Sequence, residues 1–344
     1  MMEILSVIFI FFGLSFLIII HELGHFLAAK RFGLWVEEFG FGLPPRLWGR
    51  KIGDTLYSLN WLPFGGFVKI YGERHLEESP DVETSKSFSR QTIGKRALII
   101  AAGVLMNFLL GWLLISSVFL VGIPQGLLVT EVRTGSLAEA VGIQKGDRLL
   151  DFKTVPELLD FIEKNKGREI NLLVQRAGEK LSLSVTPRIL APDGEGNLGI
   201  FIVESGLPKL GILSSFWEGL KTAIKISAAI FLGILDLIIG VFTDINVLER
   251  FVGPVGIVSV AIETTKLGLA PFIQLLAMIS LNLAVFNVFP IPVLDGGRLF
   301  FLAVEKFRGR PFNPKTEMAA NAISFAFLLF LILAITAKDI LAFL

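Results

Sequence analysis

The sequence predicts a polytopic α-helical membrane protein: about four transmembrane helices, a cytoplasmic membrane-associated β-hairpin region and one extracytoplasmic α+β domain. Three observations predict it. The 344-residue chain is 53% hydrophobic and 18% charged, with a mean hydropathy of +0.69, too apolar for a soluble domain of this length. Several nearly uncharged stretches reach the roughly 20 helical residues that cross a bilayer. Lys and Arg gather on two of the loops between those stretches, which assigns them to the cytoplasmic side. Composition also excludes functions. A net charge of +1 points to no nucleic acid, and the absence of cysteine rules out disulfides, thiol catalysis and thiolate metal sites.

Residues 1–30 form the first expected span, because Ile4 to Ala29 carries only Glu22 as a charge. It does not read as a signal peptide, since its basic pair, Lys30-Arg31, follows the apolar run instead of preceding it. Residues 31–96 are the first basic, cytoplasmic loop. Within it Tyr57 to Ile70 has strand composition with a turn at Phe64-Gly65-Gly66, and Glu77 to Lys86 reads as a solvated linker. An exposed strand edge there could pair with an extended peptide; a plain hairpin cap is the alternative. Residues 97–122 are the second span, within an uncharged run from Ala97 to Val129 that breaks near Gly122–Pro124.

Residues 123–190 are the α+β domain, with a helix over Pro156–Lys164 and a hairpin of Glu169–Gln175 and Lys180–Thr186. Residues 191–266 form an outer linker. Its segment Phe216 to Thr243 is apolar but interrupted by Lys221, Lys225 and Asp236, and one extra crossing would put the last basic loop outside. It is therefore expected as an interfacial or re-entrant helix on the outer face. Residues 267–297 are the third span and 298–317 the second cytoplasmic loop, with Lys306, Arg308, Arg310 and Lys315. The fourth span, 318–340, holds the uncharged run Met318–Ala337. Both termini then face outward.

The first span ends in "HELGH", His21 to His25. On a helix, positions i and i+4 share a face, so both imidazoles can reach one zinc ion while Glu22 acts on a water beside it. The alternative is a pair of histidines that only hydrogen-bond between helices. Ionisable groups inside a membrane are expensive and mark function, which favours the metal. Catalytic zinc takes three protein ligands. His75, the one remaining histidine, sits in the hydrophilic stretch "YGERHLEESPD" and reads as a loop residue. Asp295, in "NVFPIPVLDGGR" after Pro290 and Pro292, is either the third ligand or a carboxylate reaching the interface beside Arg298.

HELGH followed far along the chain by N-x-x-P-x-P-x-L-D-G-G resembles the site-2 proteases, the intramembrane zinc metalloproteases, in their bacterial regulator-of-sigma-E branch. "EFGFGLPPRLW" (Glu38 to Trp48) and "LPFGGFVKIYGE" (Leu62 to Glu73) resemble that family's membrane-associated β-structure. "AAGVLMNFLLG" (Ala101 to Gly111) resembles its second helix, with Val104 where the family usually has proline; "GPVGI" (Gly253 to Ile257) and "SLNLAVFN" (Ser280 to Asn287) also match. "GSLAEAVGIQKGDRLLDF" (Gly135 to Phe152) resembles a PDZ domain, lacking the extra turn and strand usual after Phe152. Such a domain fits a size filter as well as a reader of peptide tails.

The resemblance implies zinc held by His21, His25 and Asp295, and Glu22 as general base and acid. Asn287, with Gly65, Gly66 and Phe67, would contact the substrate. It implies cleavage of single-pass membrane proteins, such as a pre-trimmed anti-sigma factor or remnant signal peptides, in a bacterial plasma membrane. Two rivals remain: a membrane zincin with Glu37 or Glu38 as third ligand acting on other chains, and a non-catalytic scaffold binding partners through the outer domain.

Overall fold

The computed structural model describes residues 2–73, 84–176, 178–190, 196–240, 253–266 and 268–342. His75 and most of the expected linker after it lie outside the described residues. In chain order the elements are α1 (Met2–Arg31), β1 (Val36–Ile52), β2 (Thr55–Ile70), α2 (Ile93–Val121), β3 (Ile123–Val132), α3 (Leu137–Ala140), β4 (Arg148–Leu149) and α4 (Val155–Lys164). They continue with β5 (Ile170–Arg176), β6 (Glu179–Val185), β7 (Ile200–Leu207), α5 (Ile212–Gly240), α6 (Pro254–Lys266), α7 (Leu269–Phe286), α8 (Asp295–Arg308) and α9 (Pro314–Ala342). Contacts divide the chain into two compact units: Met1–Ser116, Phe216–Thr265 and Phe272–Leu344 form one, Ser117–Ser215 and Lys266–Pro271 the other.

In the first unit, five helices are long and apolar enough to cross a membrane: α1, α2, α5, α7 and α9. With the β1–β2 sheet this fits a multi-pass membrane protein carrying a β region. The sheet has the expected turn and one more. The chain reverses at Gly53-Asp54 and again near Gly65 (φ +66°), because Leu56–Leu59 and Gly66–Lys69 run in opposite directions along the start of β1. Gly53 takes φ +61°, which only glycine adopts without strain. Glu38 to Phe41 each have two partners, one in Leu56–Leu59 and one in Gly66–Lys69, so the start of β1 lies between two stretches of β2. Trp48, Trp61, Phe64, Leu47 and Leu62 all stay exposed on this sheet.

Ala29, Leu34, Val36, Ile70, Phe88, Ile99, Ile100 and Leu302 form one buried cluster. It ties the end of α1, the sheet, the start of α2 and α8 into a single base under the site. Helix α2 passes through Val104 without a break. It packs closely on α7, where Ser280 Oγ donates to Asn107 O at 2.8 Å and Gly111 leaves room for Leu281.

The expected third span is shorter than the apolar run. Helix α7 stops at Phe286, Pro290 and Pro292 hold the chain out of helix, and α8 restarts at Asp295. The expected outer-face segment is one continuous helix, α5. Its start meets α2, where Trp112 Nε1 donates to Phe216 O at 2.9 Å. Further along, Ile234 packs on Val285 and Phe289. It therefore lies along the bundle. At the far end of α9, Asp339 Oδ2 accepts from Gly256 N at 2.9 Å and caps α6.

The second unit is a five-stranded sheet of order β6-β5-β4-β3-β7 with α3 and α4 packed on it. The β5–β6 hairpin and α4 fall where the sequence places them. The boundary at 190 does not hold, because β7 pairs antiparallel with β3 and belongs to the same sheet. The sequence between is polar and Gly-rich, which hid it. Helix α4 starts at a capping box of Thr154 and Glu157. Asp147, 1% exposed, accepts from Arg176 Nε and Nη2 at 2.7 Å each and from Gln144 N at 2.9 Å. Asp147→Ala removes the acceptor of Gln144 N and of Arg176, which keeps Gly142 O and water, and should destabilise this unit by about 1–2 kcal/mol; urea denaturation of the full chain followed by hydrogen exchange at Leu172 and Val174 measures it.

Candidate active site

Helix α1 presents His21 and His25 on one face, and the turn before α8 brings Asp295 to meet them. His25 Nε2 lies 3.1 Å from His21 Nε2. Asp295 Oδ2 lies 3.0 Å from His21 Nε2 and 3.3 Å from His25 Nε2. The two imidazoles are buried, and Gly103 of α2 makes space for them, since a Cβ there would overlap His25 Nε2. The Asp295 position is set by backbone packing. Gly296 N donates to Asn287 O at 2.7 Å, and a Cβ on Gly296 would strike the carbonyls of Val288 and Phe289. The two glycines of the motif are steric requirements of this turn.

Glu22 sits beside the cluster with Oε2 accepting from Val68 N at 3.1 Å. That amide points at α1 and not into the sheet, so this part of β2 is a free edge. A cavity of about 390 Å³ opens over the cluster, lined by His21, Glu22, His25, Phe67, Val68 and Asp295 among others. Of the expected substrate-contacting residues, Phe67 lines it. Gly65 and Gly66 pack instead on Ile18 and Ile19 of α1. Asn287 contributes its backbone carbonyl to the Asp295 turn, and its side chain is not among the lining groups.

A sequence model of peptidase family M50 matches residues 9–331. The chain belongs to peptidase family M50. A Clostridium perfringens protein whose name describes a zinc metalloprotease is 33% identical over 97% of this chain and 98% of its own length. The zinc metalloprotease RasP of Shouchella clausii is 29% identical over 95% and 96%. The regulator of sigma-W protease RasP of Bacillus subtilis is 27% identical over 94% and 95%. The resemblance to the site-2 proteases is thus borne out, and with it a zinc metalloprotease that passes through the membrane several times.

The residues of this M50 peptidase fit the metal. The Ile99 carbonyl, 2.9 Å from His25 Nδ1, can only accept. Nδ1 therefore carries the proton, and Nε2 presents a lone pair to the centre. Asp295 Oδ2 is buried there with no hydrogen-bond donor. Lone pairs facing each other at such distances repel unless a cation sits among them. A tetrahedral zinc site with bonds of about 2.05 Å has ligand-to-ligand edges of about 3.3 Å, close to the spacings seen here.

Asn107 was not read from the sequence as a site residue. Its Nδ2 lies 3.4 Å from His21 Nδ1, and its Oδ1 is buried without a partner. A half-turn of the amide exchanges the two atoms. Oδ1 then accepts from His21 Nδ1–H, which satisfies the orphan and leaves His21 Nε2 free for the metal. A lone amide within an uncharged membrane helix was the available signal. Asn107→Leu should weaken zinc binding about 10- to 100-fold, read by competition with a chromogenic chelator.

Proposed function

We propose that this M50 peptidase cuts the transmembrane segments of single-pass membrane proteins, with His21, His25 and Asp295 holding zinc and Glu22 as general base and acid. The observation that carries the reading is the triad itself, buried among apolar helices with three lone pairs turned on one point. His21 precedes Lys30 by nine helical residues, so the centre lies roughly 13 Å inside the basic boundary. A zinc ion held there supplies Lewis acidity, acidifying water and polarising a peptide carbonyl. Glu22, oriented by Val68 N–H, takes the proton of the attacking water and hands it to the leaving amine.

A helix hides its peptide bonds, so the substrate must unwind to be cut. The free edge of β2 beside Glu22 suits an unwound strand, which would add to the sheet there. In this reading Gly65, Gly66 and Phe67 shape that edge, and Asn287 approaches the substrate from the Asp295 turn. Fitting substrates are membrane-anchored regulators already trimmed outside, or remnant signal peptides; the regulatory name of the Bacillus relative supports the first. The exposed tryptophans of β1–β2 suit the lipid interface, and the second unit suits a PDZ-like domain that holds back bulky external domains.

Two ion pairs support the side proposed for each loop. Arg96 Nη1 lies 3.0 Å from Glu305, and Arg298 Nη2 lies 2.6 Å from Glu73. The loop before α2 and the helix after α7 thus share one face, so the chain crosses an even number of times between them. Helices α2 and α7 satisfy this; α5 then enters the bilayer without a net crossing, giving four spans. A cysteine at Gly178 and one near Leu248, outside the described residues, should both label from outside; labelling of the second only from the cytoplasm would refute four spans. Mapping product termini by mass spectrometry tests the cleavage itself: cuts mainly in a substrate's external domain would refute intramembrane cleavage.

A further inference from the structure

Two polar residues of α9, in none of the motifs, line the same cavity as the triad: Glu317 and, one turn on, Asn321. Asn321 Oδ1 is buried and has no donor. Their neighbours are already matched. Arg298, one turn past Asp295, is held by Glu73 at 2.6 Å. Arg96 is held by Glu305 at 3.0 Å, and the two guanidinium groups share the Phe88 ring at 5.7 and 5.5 Å. Among the described residues no salt bridge includes Glu317. This wall of the cavity therefore offers one carboxylate and one amide oxygen, both acceptors, beside an Arg298 whose ion pair is with Glu73 and whose charge also reaches Glu317.

We propose that Glu317 and Asn321 form a specificity subsite for a Lys or Arg side chain on the cytoplasmic flank of the substrate's spanning segment. The proposal rests on the intramembrane reading. An ammonium or guanidinium group supplies only donors and a positive charge, which is what two unmatched acceptors in a partly dry cavity require. Membrane-spanning segments carry such residues just past their cytoplasmic end, and their long apolar stems let the charge reach sideways while the chain stays in lipid. Glu73 and Phe88 hold the Arg298 guanidinium, which feels the Glu317 charge but makes its ion pair with Glu73, so Glu317 keeps its oxygens for a substrate cation. Such a subsite would set the register of the substrate, because a basic residue anchored at α9 fixes which peptide bond lies over the triad.

Full-length protein carrying Glu22→Gln, in nanodiscs, allows binding to be read without cleavage. Three fluorescent single-span peptides differing only in one flank residue, Lys, Gln or Glu, serve as probes. The Lys peptide should bind about tenfold more tightly. Adding Glu317→Gln should bring the ratio close to one, Asn321→Leu should reduce it, and Glu317→Lys should reverse it toward a Glu-flanked peptide. Equal affinities for the Lys and Gln peptides, or a Lys preference unchanged by Glu317→Gln, would overturn the subsite. Cleavage of the Lys peptide by unmodified protein is scored separately. Its failure would count against the protease reading while the binding ratios still decide the subsite.

Discussion

Glu22→Gln will leave the protein folded, in the membrane and loaded with zinc, while lowering turnover by about 10²- to 10⁴-fold. The side chain is almost isosteric, and its amide oxygen can still accept from Val68 N–H, so the local packing has no reason to change. What is lost is basicity: an amide cannot take a proton from water or carry one to the leaving nitrogen. Glu22 is not a ligand in the cluster of His21, His25 and Asp295, so zinc content is the control. A variant that loses activity and zinc together would show that Glu22 holds the metal. One that keeps full activity would remove it from the mechanism.

Asp295→Ala should be worse in a different way. It removes the anionic member of the donor set and leaves two imidazole nitrogens 3.1 Å apart, facing each other across an emptied corner. Zinc content after dialysis should fall to near the level of a His21→Ala variant, and cleavage should vanish, with membrane insertion intact. Full zinc and full activity would mean that Asp295 is a bystander and that the third ligand lies elsewhere.

Motifs whose side chains do chemistry were legible. HELGH marked two candidate ligands and a candidate base through its spacing, and the five residues fall on α1 as that spacing requires. Asp295 was ambiguous from its neighbours alone, because a carboxylate beside Arg298 at a helix end could equally reach for water. The structure shows instead that Arg298 turns to Glu73 and Asp295 turns inward. The turn at Phe64-Gly65-Gly66 was legible from its glycines, whereas the second reversal, at Gly53-Asp54, was not read. Those glycines also pack closely on α1, a second use that local sequence does not reveal. Strand β7 escaped notice because pairing with β3 is a property of distant partners. Glu317 and Asn321 were invisible for the same reason: their position depends on how α9 leans against a site built by other helices.

The two halves of the metal cluster are made at very different moments of synthesis. His21 and His25 are made some 270 residues before Asp295, which follows only after the second unit and most of the long apolar helices. A nascent chain therefore carries an unfinished donor pair through most of its insertion, and the hydrolytic centre closes only when the turn at Asn287–Gly297 has docked against α1. A chain released early, at any point before Asp295, would be inserted and inert.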